Sequence, residues 1–338
     1  MGSQFVDFDA DGRTDYLSAT FDGSVHLARG GEGGFAQPEH VLDAEGRRLV
    51  VSSFWNYEDE EHQDTGRALP GGEENGLRCV SALAYDWDAD GDFDLLLGTY
   101  KEGRLYRQMN EGSNAEPRFT GLNVPVLAGG EEFELPAKMT TPKLVDWDGD
   151  GDLDLVAGTF GNQYGSEGTR GRVVLSLNRG EAGEPAFGSL EDLIPARALG
   201  ATEPTGPDTG LYPEVADVDG DGDLDLVVGA YSTWTPEGRP LSEEETARVA
   251  ELEAGLEALD AELEAFFERV QAEVEAAAEA RGLDPEGEEA RPLFKEHFDA
   301  AADERRELME RRTAVQEELD ELVPRDQRSS FVWFYERI

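Results

Sequence analysis

Apolar positions along the chain follow two periods. Up to about residue 235 they form short runs of strand length. Between residues 241 and 323 they recur every three or four residues, and residues 329–338 return to alternation. Alternation with period two predicts half-buried strands at 23–29 (Gly-Ser-Val-His-Leu-Ala-Arg), 103–109 and 171–177. A further outer strand is expected after each, at Glu39–Leu42, Phe119–Leu122 and Phe187–Leu190. Apolar runs such as Leu95-Leu96-Leu97-Gly98 and Leu155-Val156-Ala157-Gly158 precede the alternating ones, and Val80–Tyr85 precedes the first of these. Together they make four strands per unit.

The helical stretch opens on Ser242-Glu243-Glu244-Glu245, a capping box. Val249, Leu252, Leu256, Leu259, Leu263, Phe266 and Val270 then alternate steps of three and four, a heptad seam. Gly282-Leu283-Asp284-Pro285 breaks it. A second helix follows, with Phe294, Phe298, Ala301, Arg305, Leu308, Arg312, Val315, Leu319 and Leu322 on its seam, and Pro324 stops it. At about 1.5 Å per residue each arm spans roughly 50–60 Å. The short connection makes the arms antiparallel, with Arg305 and Arg312 expected to snorkel or to pair with acids of the facing arm, the alternative being that they mark where a third helix docks. The hairpin interrupts a strand unit. The run Leu226–Tyr231 has no partner strand until Ser330–Arg337, at the end of the chain.

Between paired strands lies one recurring stretch. Its clearest copy is Asp146-Trp147-Asp148-Gly149-Asp150-Gly151-Asp152-Leu153-Asp154, with acids at positions 1, 3, 5, 7 and 9 and glycine at position 6. The other copies occupy 86–94 (Asp86, Asp88, Asp90, Asp92, Asp94), 217–225 (Asp217, Asp219, Asp221, Asp223, Asp225) and 7–15 (Asp7, Asp9, Asp11, Arg13, Asp15). Alternate carboxylates folded back by a glycine suit a hard cation that takes six to eight oxygens, which is calcium. Without one, the acids repel at short range. The opening resembles an EF-hand, but position 12 is Ser18, Leu97, Ala157 or Val228 rather than a bidentate Glu, and the flanks are strands. A metal-free Asp/Gly turn accounts for one copy more readily than for four.

The run Asp86-Trp87-Asp88-Ala89-Asp90-Gly91-Asp92-Phe93-Asp94-Leu95-Leu96-Leu97-Gly98 and its counterparts from Asp146 and Asp217 resemble FG-GAP/VCBS-type repeats, as in integrin α-chain propellers and many secreted bacterial proteins. The first copy departs from the pattern at Arg13, Thr14 and Tyr16. The resemblance takes in residues 1–235 and the last ten. It implies an all-β, propeller-like fold of four-stranded antiparallel blades, with about four structural calcium ions between the first and second strands of the blades. The helical antiparallel coiled-coil hairpin, residues 241–323, is then an insertion in the last blade. Four blades is at the low end for a closed ring, so completion by other segments or by a neighbouring chain stays open.

Charge narrows the partners. The chain of 338 residues carries a formal net charge of −46, which argues against nucleic acid and anionic membrane surfaces. Cys79 is the single cysteine, so no intrachain disulfide forms, and no apolar run is long enough for a transmembrane helix. Calcium at millimolar level is an extracellular condition and points to an exported protein, whether secreted, periplasmic or on the cell surface. The histidines, His26, His40, His62 and His297, are scattered with no zinc-type spacing, and no nucleophile or phosphate-loop motif occurs. The acid-rich connection 56–76 reads as a solvated loop or a further cation site. The expected role is non-catalytic: a calcium-binding scaffold or adhesion module whose hairpin or propeller face engages another protein or a second copy. The alternative is a carbohydrate-binding or carbohydrate-processing propeller that uses Trp55, Tyr57, Tyr164 or Trp234 as sugar platforms.

Overall fold

The computed structural model describes residues 2–65, 78–101, 103–135, 139–161, 170–181, 183–198, 200–285 and 290–337. The chain divides into two units, Met1–Trp234 with Arg328–Ile338, and Thr235–Gln327.

The first unit is built from antiparallel sheets. Three have four strands: Ser3–Val6, Asp15–Ala19, Val25–Ala28 and Glu39–His40; Cys79–Tyr85, Asp94–Thr99, Leu105–Gln108 and Val124–Pro125; Thr141–Val145, Asp154–Gly158, Val173–Ser176 and Glu191–Ile194. The fourth has three: Thr209–Ala216, Asp225–Trp234 and the C-terminal Gln327–Tyr335. The long-range pairing expected between the last repeat and the chain end is therefore present.

Each apolar cluster lies between consecutive sheets, and strand alternation makes this work. Leu155 and Ala157 face the second sheet with Leu83, Leu96 and Phe187, while Val156 between them faces the fourth with Leu226 and Val228. The strand is unbroken in its apolar character because both of its faces are covered. Glycine permits the tightest approach. A Cβ at Gly98 would lie 2.4 Å from Thr140 O, and one at Gly158 would lie 2.1 Å from Leu211 O, both on the following sheet. Gly229, the equivalent residue of the fourth sheet, has nothing within 4 Å. That sheet also exposes Val332 and Phe334, which alternate with the half-buried Trp333 and Tyr335.

Two outer strands fall later than their sequence pattern predicts, at Val124–Pro125 and Glu191–Ile194. Phe119 and Phe187, expected to begin them, are buried between sheets and make isolated bridges instead, Phe119 to Asn110 and Asp43, Phe187 to Asn178 and Ala128. Burying a large aromatic ring outweighs extending the ladder by a residue or two. The connection after residue 56 also forms a hairpin, Ser53–Asn56 with Glu61–Asp64.

The second unit holds α1 (Glu243–Arg281), α2 (Arg291–Ala300) and α3 (Ala302–Leu322). The capping box forms: Glu245 N–H donates to Ser242 Oγ (3.2 Å), and Ser242 N–H donates to Glu245 Oε2 (2.8 Å). Gly282 ends α1 at φ 69°. Helix α1 packs on α2 and α3, and its ion pairs run in opposite order along the two partners: Arg248 with Glu318, Arg269 with Glu304, Arg281 with Glu296. That order is antiparallel. Leu252, Leu259, Leu263, Phe266 and Val270 are buried as the seam requires. The predicted second helix is interrupted at Ala301, where φ and ψ relax to −94° and 10°. The Ala301 N–H still bonds His297 O and its carbonyl accepts from Arg305, so the helical path continues through a local bend. Arg312 bonds Asp260 of α1 (2.6 Å), and Arg305 lies 4.2 Å over the Phe298 ring. Both seam arginines are thus satisfied inside the unit.

Candidate metal centres

The four acidic loops share one hydrogen-bond plan. The acid at position 1 folds back on the glycine at position 6: Gly12, Gly91, Gly151 and Gly222 donate to Asp7, Asp86, Asp146 and Asp217 at 3.0–3.2 Å. The acid at position 5 accepts the N–H of position 7, from Arg13, Asp92, Asp152 and Asp223. Left-handed backbone at positions 4 and 6 tightens the curl. Position 6 is glycine throughout, with φ between 88° and 103°, and position 4 is Ala10, Ala89, Gly149 or Gly220. An alanine there costs about 1 kcal/mol, which the enclosing bonds must offset.

Position 9 has a separate role. Asp15, Asp94, Asp154 and Asp225 are at most 2% exposed. One oxygen of each accepts the N–H of position 2: Phe8, Trp87, Trp147 or Val218. The other accepts an N–H beyond the partner strand: Gly30, Asn110, Asn178 or Arg337, at 2.6–3.1 Å. The ninth acid therefore staples its loop to the neighbouring strand end. Asn110 and Asn178 extend the staple, because the side-chain oxygen of each accepts two further backbone N–H groups. Neither asparagine stands out in the linear pattern. Their signal was the repeated Asn-x-Gly just after the second strand.

Carboxylate oxygens converge within 4.8 Å in four sets: Asp7, Asp9 and Asp15; Asp86, Asp88 and Asp90; Asp146, Asp148 and Asp154; Asp217, Asp219 and Asp225. Asp11, Asp92, Asp94, Asp150, Asp152, Asp221 and Asp223 border these sets rather than belong to them. Arg13 can serve a cation only through its carbonyl, since a guanidinium has no lone pair to give. Buried oxygens without any hydrogen-bond partner, Asp7 Oδ1, Asp92 Oδ1 and Asp223 Oδ1, sit in three of the loops. An orphaned carboxylate oxygen in a cluster of like charge is what a hard divalent cation would satisfy, so the residues present fit calcium.

The electrostatics agree. Burial pushes the Asp94 carboxyl up to about 6, past what the N–H groups of Asn110 and Trp87 recover, with Asp88 and Asp92 adding to the rise. Asp92 is raised by burial and by Asp90, Asp88 and Asp86, and Asp223 and Asp154 are raised by the same kinds of cause. Arginine relieves two loops in part: Arg29 pairs with Asp9, and Arg179 with Asp148 at 3.1 Å.

Three of the four aromatic residues considered as sugar platforms are described. Trp55 meets His62 edge-on at 4.9 Å, Trp234 packs against Phe331, and Tyr57 is 69% exposed. Tyr164 lies outside the described residues. The histidines are less scattered than their spacing suggests. His26 and His40 are cross-strand partners with ring centroids 4.4 Å apart, because strand pairing joins positions that a linear motif separates.

Two segments, residues 86–157 and 146–228, match the FG-GAP-like repeat. The chain thus carries FG-GAP-like repeats, and these take in the second, third and fourth acidic loops. It is also 32% identical over 148 residues to cartilage acidic protein 1 of Homo sapiens, Xenopus tropicalis and Mus musculus. The alignment covers 44% of this chain and 19–20% of each relative, so the chain spans about a fifth of the length of the curated relatives it matches.

Proposed function

We propose that the chain is a non-catalytic, calcium-dependent scaffold or adhesion module with about four structural calcium ions, one per acidic loop. The carrying observation is the fourfold convergence of loop carboxylates with orphaned buried oxygens in three of the loops. Asp7, Asp9 and Asp15, with their counterparts at 86, 88 and 90, at 146, 148 and 154, and at 217, 219 and 225, would hold the ions, and the bordering acids would complete them. Bound calcium supplies charge neutralisation and cross-linking of the loop. The chain's own part is to curl each loop through its left-handed positions and to lock it through the ninth acid. The molecule is then a propeller-like set of sheets with a helical interaction arm.

Partner surfaces fit this reading. The fourth sheet offers Val332 and Phe334, 75% and 48% exposed, beside the open Gly229, and the helical unit offers Phe267 and Phe294. Another protein or a second copy would engage these faces. Export to a calcium-rich compartment is part of this proposal, and the relatives are named for cartilage.

The test is calorimetric titration of calcium into chelator-treated full-length chain, followed by capture of partners with and without residues 241–323. About four sites and calcium-dependent stability are expected. Absence of calcium binding would end the proposal, and capture that survives removal of the arm would move the interaction to the sheets.

A further inference from the structure

We propose that Asp22, His26 and His40 form a second kind of metal site on the first sheet, one that takes a divalent transition ion of the zinc class. It goes beyond the calcium reading and does not depend on it. Each of the three residues offers a ligand atom, and these lie within 4.8 Å of one another. The site stands at the opposite end of strand Asp15–Ala19 from the first acidic loop and shares no residue with it.

The donor set differs in kind from the loops. Two imidazoles and one carboxylate suit a borderline ion such as zinc, whereas calcium takes oxygen alone. The carboxylate is oriented from behind. Asp22 Oδ1 accepts from Thr20 Oγ1 (2.6 Å) and from Ser24 N–H (2.9 Å), and Oδ2 faces His26 Nε2 at 3.2 Å. Two atoms bound to zinc at about 2.0–2.1 Å and at the tetrahedral angle stand roughly 3.3 Å apart, so this edge already has ligand spacing. Supporting hydrogen bonds of this sort are the usual companions of metal ligands.

His40 supplies the independent sign. Its Nδ1 is buried and has no hydrogen-bond partner, although the ring lies against His26 at 4.4 Å between centroids. An Asp22–His26 ion pair accounts for two of the residues and leaves that nitrogen unexplained. Three protein donors leave a fourth position to water or to an external ligand.

The experiment uses the untagged full-length chain saturated with millimolar calcium, so that the acidic loops are filled. Cobalt(II) is titrated as a spectroscopic probe, and zinc is then added to displace it. The expected result is one cobalt per chain with the strong visible bands of a four-coordinate site, bleached by zinc, and an affinity at least tenfold weaker in His40→Ala. Asp150→Ala, a loop variant, should bind cobalt as the parent does. If His40→Ala does not fold, imidazole nitrogen NMR of the parent decides the matter. Zinc should shift the resonances of two of the four histidines. No cobalt site under calcium saturation, unchanged affinity in a folded His40→Ala, or zinc shifts at fewer than two histidines would each overturn the assignment.

Discussion

In the β unit, Asp86, Asp88 and Asp90 turn their oxygens toward one another. In the helical unit, Asp260, Glu262, Glu304 and Glu318 turn theirs toward Arg312, Arg311, Arg269 and Arg248 of the facing helix. The same residue class is managed in two ways. The helices carry their own counter-charge on an exposed surface, where each pair contributes little and salt screens it. The loops leave much of theirs uncompensated in partly desolvated turns, which a divalent ion would relieve. Acid content alone therefore says nothing about calcium, whereas the convergence of acids does.

The largest expected effect separates the units. Chelation should lower the melting temperature of the β unit by roughly 5–10 °C for each site that had been held at a hundredfold its dissociation constant. Helical ellipticity should change little at temperatures where the sheets have melted. Calorimetry with parallel circular dichroism checks this, and a single coincident transition unaffected by chelator would erase the contrast.

Within the loops, the ninth acid should behave unlike its neighbours. Asp154→Ala strands the N–H groups of Trp147 and Asn178, a loss of about 2–5 kcal/mol that should persist in chelator. Asp150→Ala should destabilise mainly when calcium is present, because the Asp152 N–H it accepts is exposed and can turn to water. Denaturant titrations of both variants with and without chelator measure the difference.

Acidity offers a smaller test. Asp94 has a folded pKa of about 6 against an ordinary 3.8, so the native state holds the extra proton between those values and stability falls as pH rises through that window. Calcium-free protein should therefore melt a few degrees higher at pH 5.5 than at pH 7, and Asp94→Asn should flatten the dependence. Calcium competes with the proton and should flatten it too.

The smallest effect belongs to the helices. Arg312→Ala removes an exposed bridge to Asp260 and should shift melting by at most about 2 °C, less still in high salt.

Much of this architecture could be read from the residues. The loops, the strands after them, the capping box at Ser242 and the return of the chain end to the last sheet all follow from local pattern. The misses share a cause. Phe119 and Phe187 left the ladder for the space between sheets, Asn110 and Asn178 became staples only once strand ends met acidic loops, and His26 met His40 across a strand pair. Each depends on distant segments coming together, which a linear pattern does not encode. The bend at Ala301 is the exception: it is local, and the heptad spacing ran through it unmarked.

The insertion has a consequence for how the protein assembles. Asp225 receives its hydrogen bond from Arg337, 112 residues later, so the last sheet cannot be completed until that distant strand has been made. A floppy connection of that length would make the search for the final strand slow. Here the intervening chain is a compact helical unit of its own, of the kind that local contacts form fast, and Thr235 Oγ1 donates to Asp326 Oδ1 at 2.5 Å where it leaves and returns. The hairpin thus works as a zipper pull, shortening a long diffusive search to a closure of a few residues.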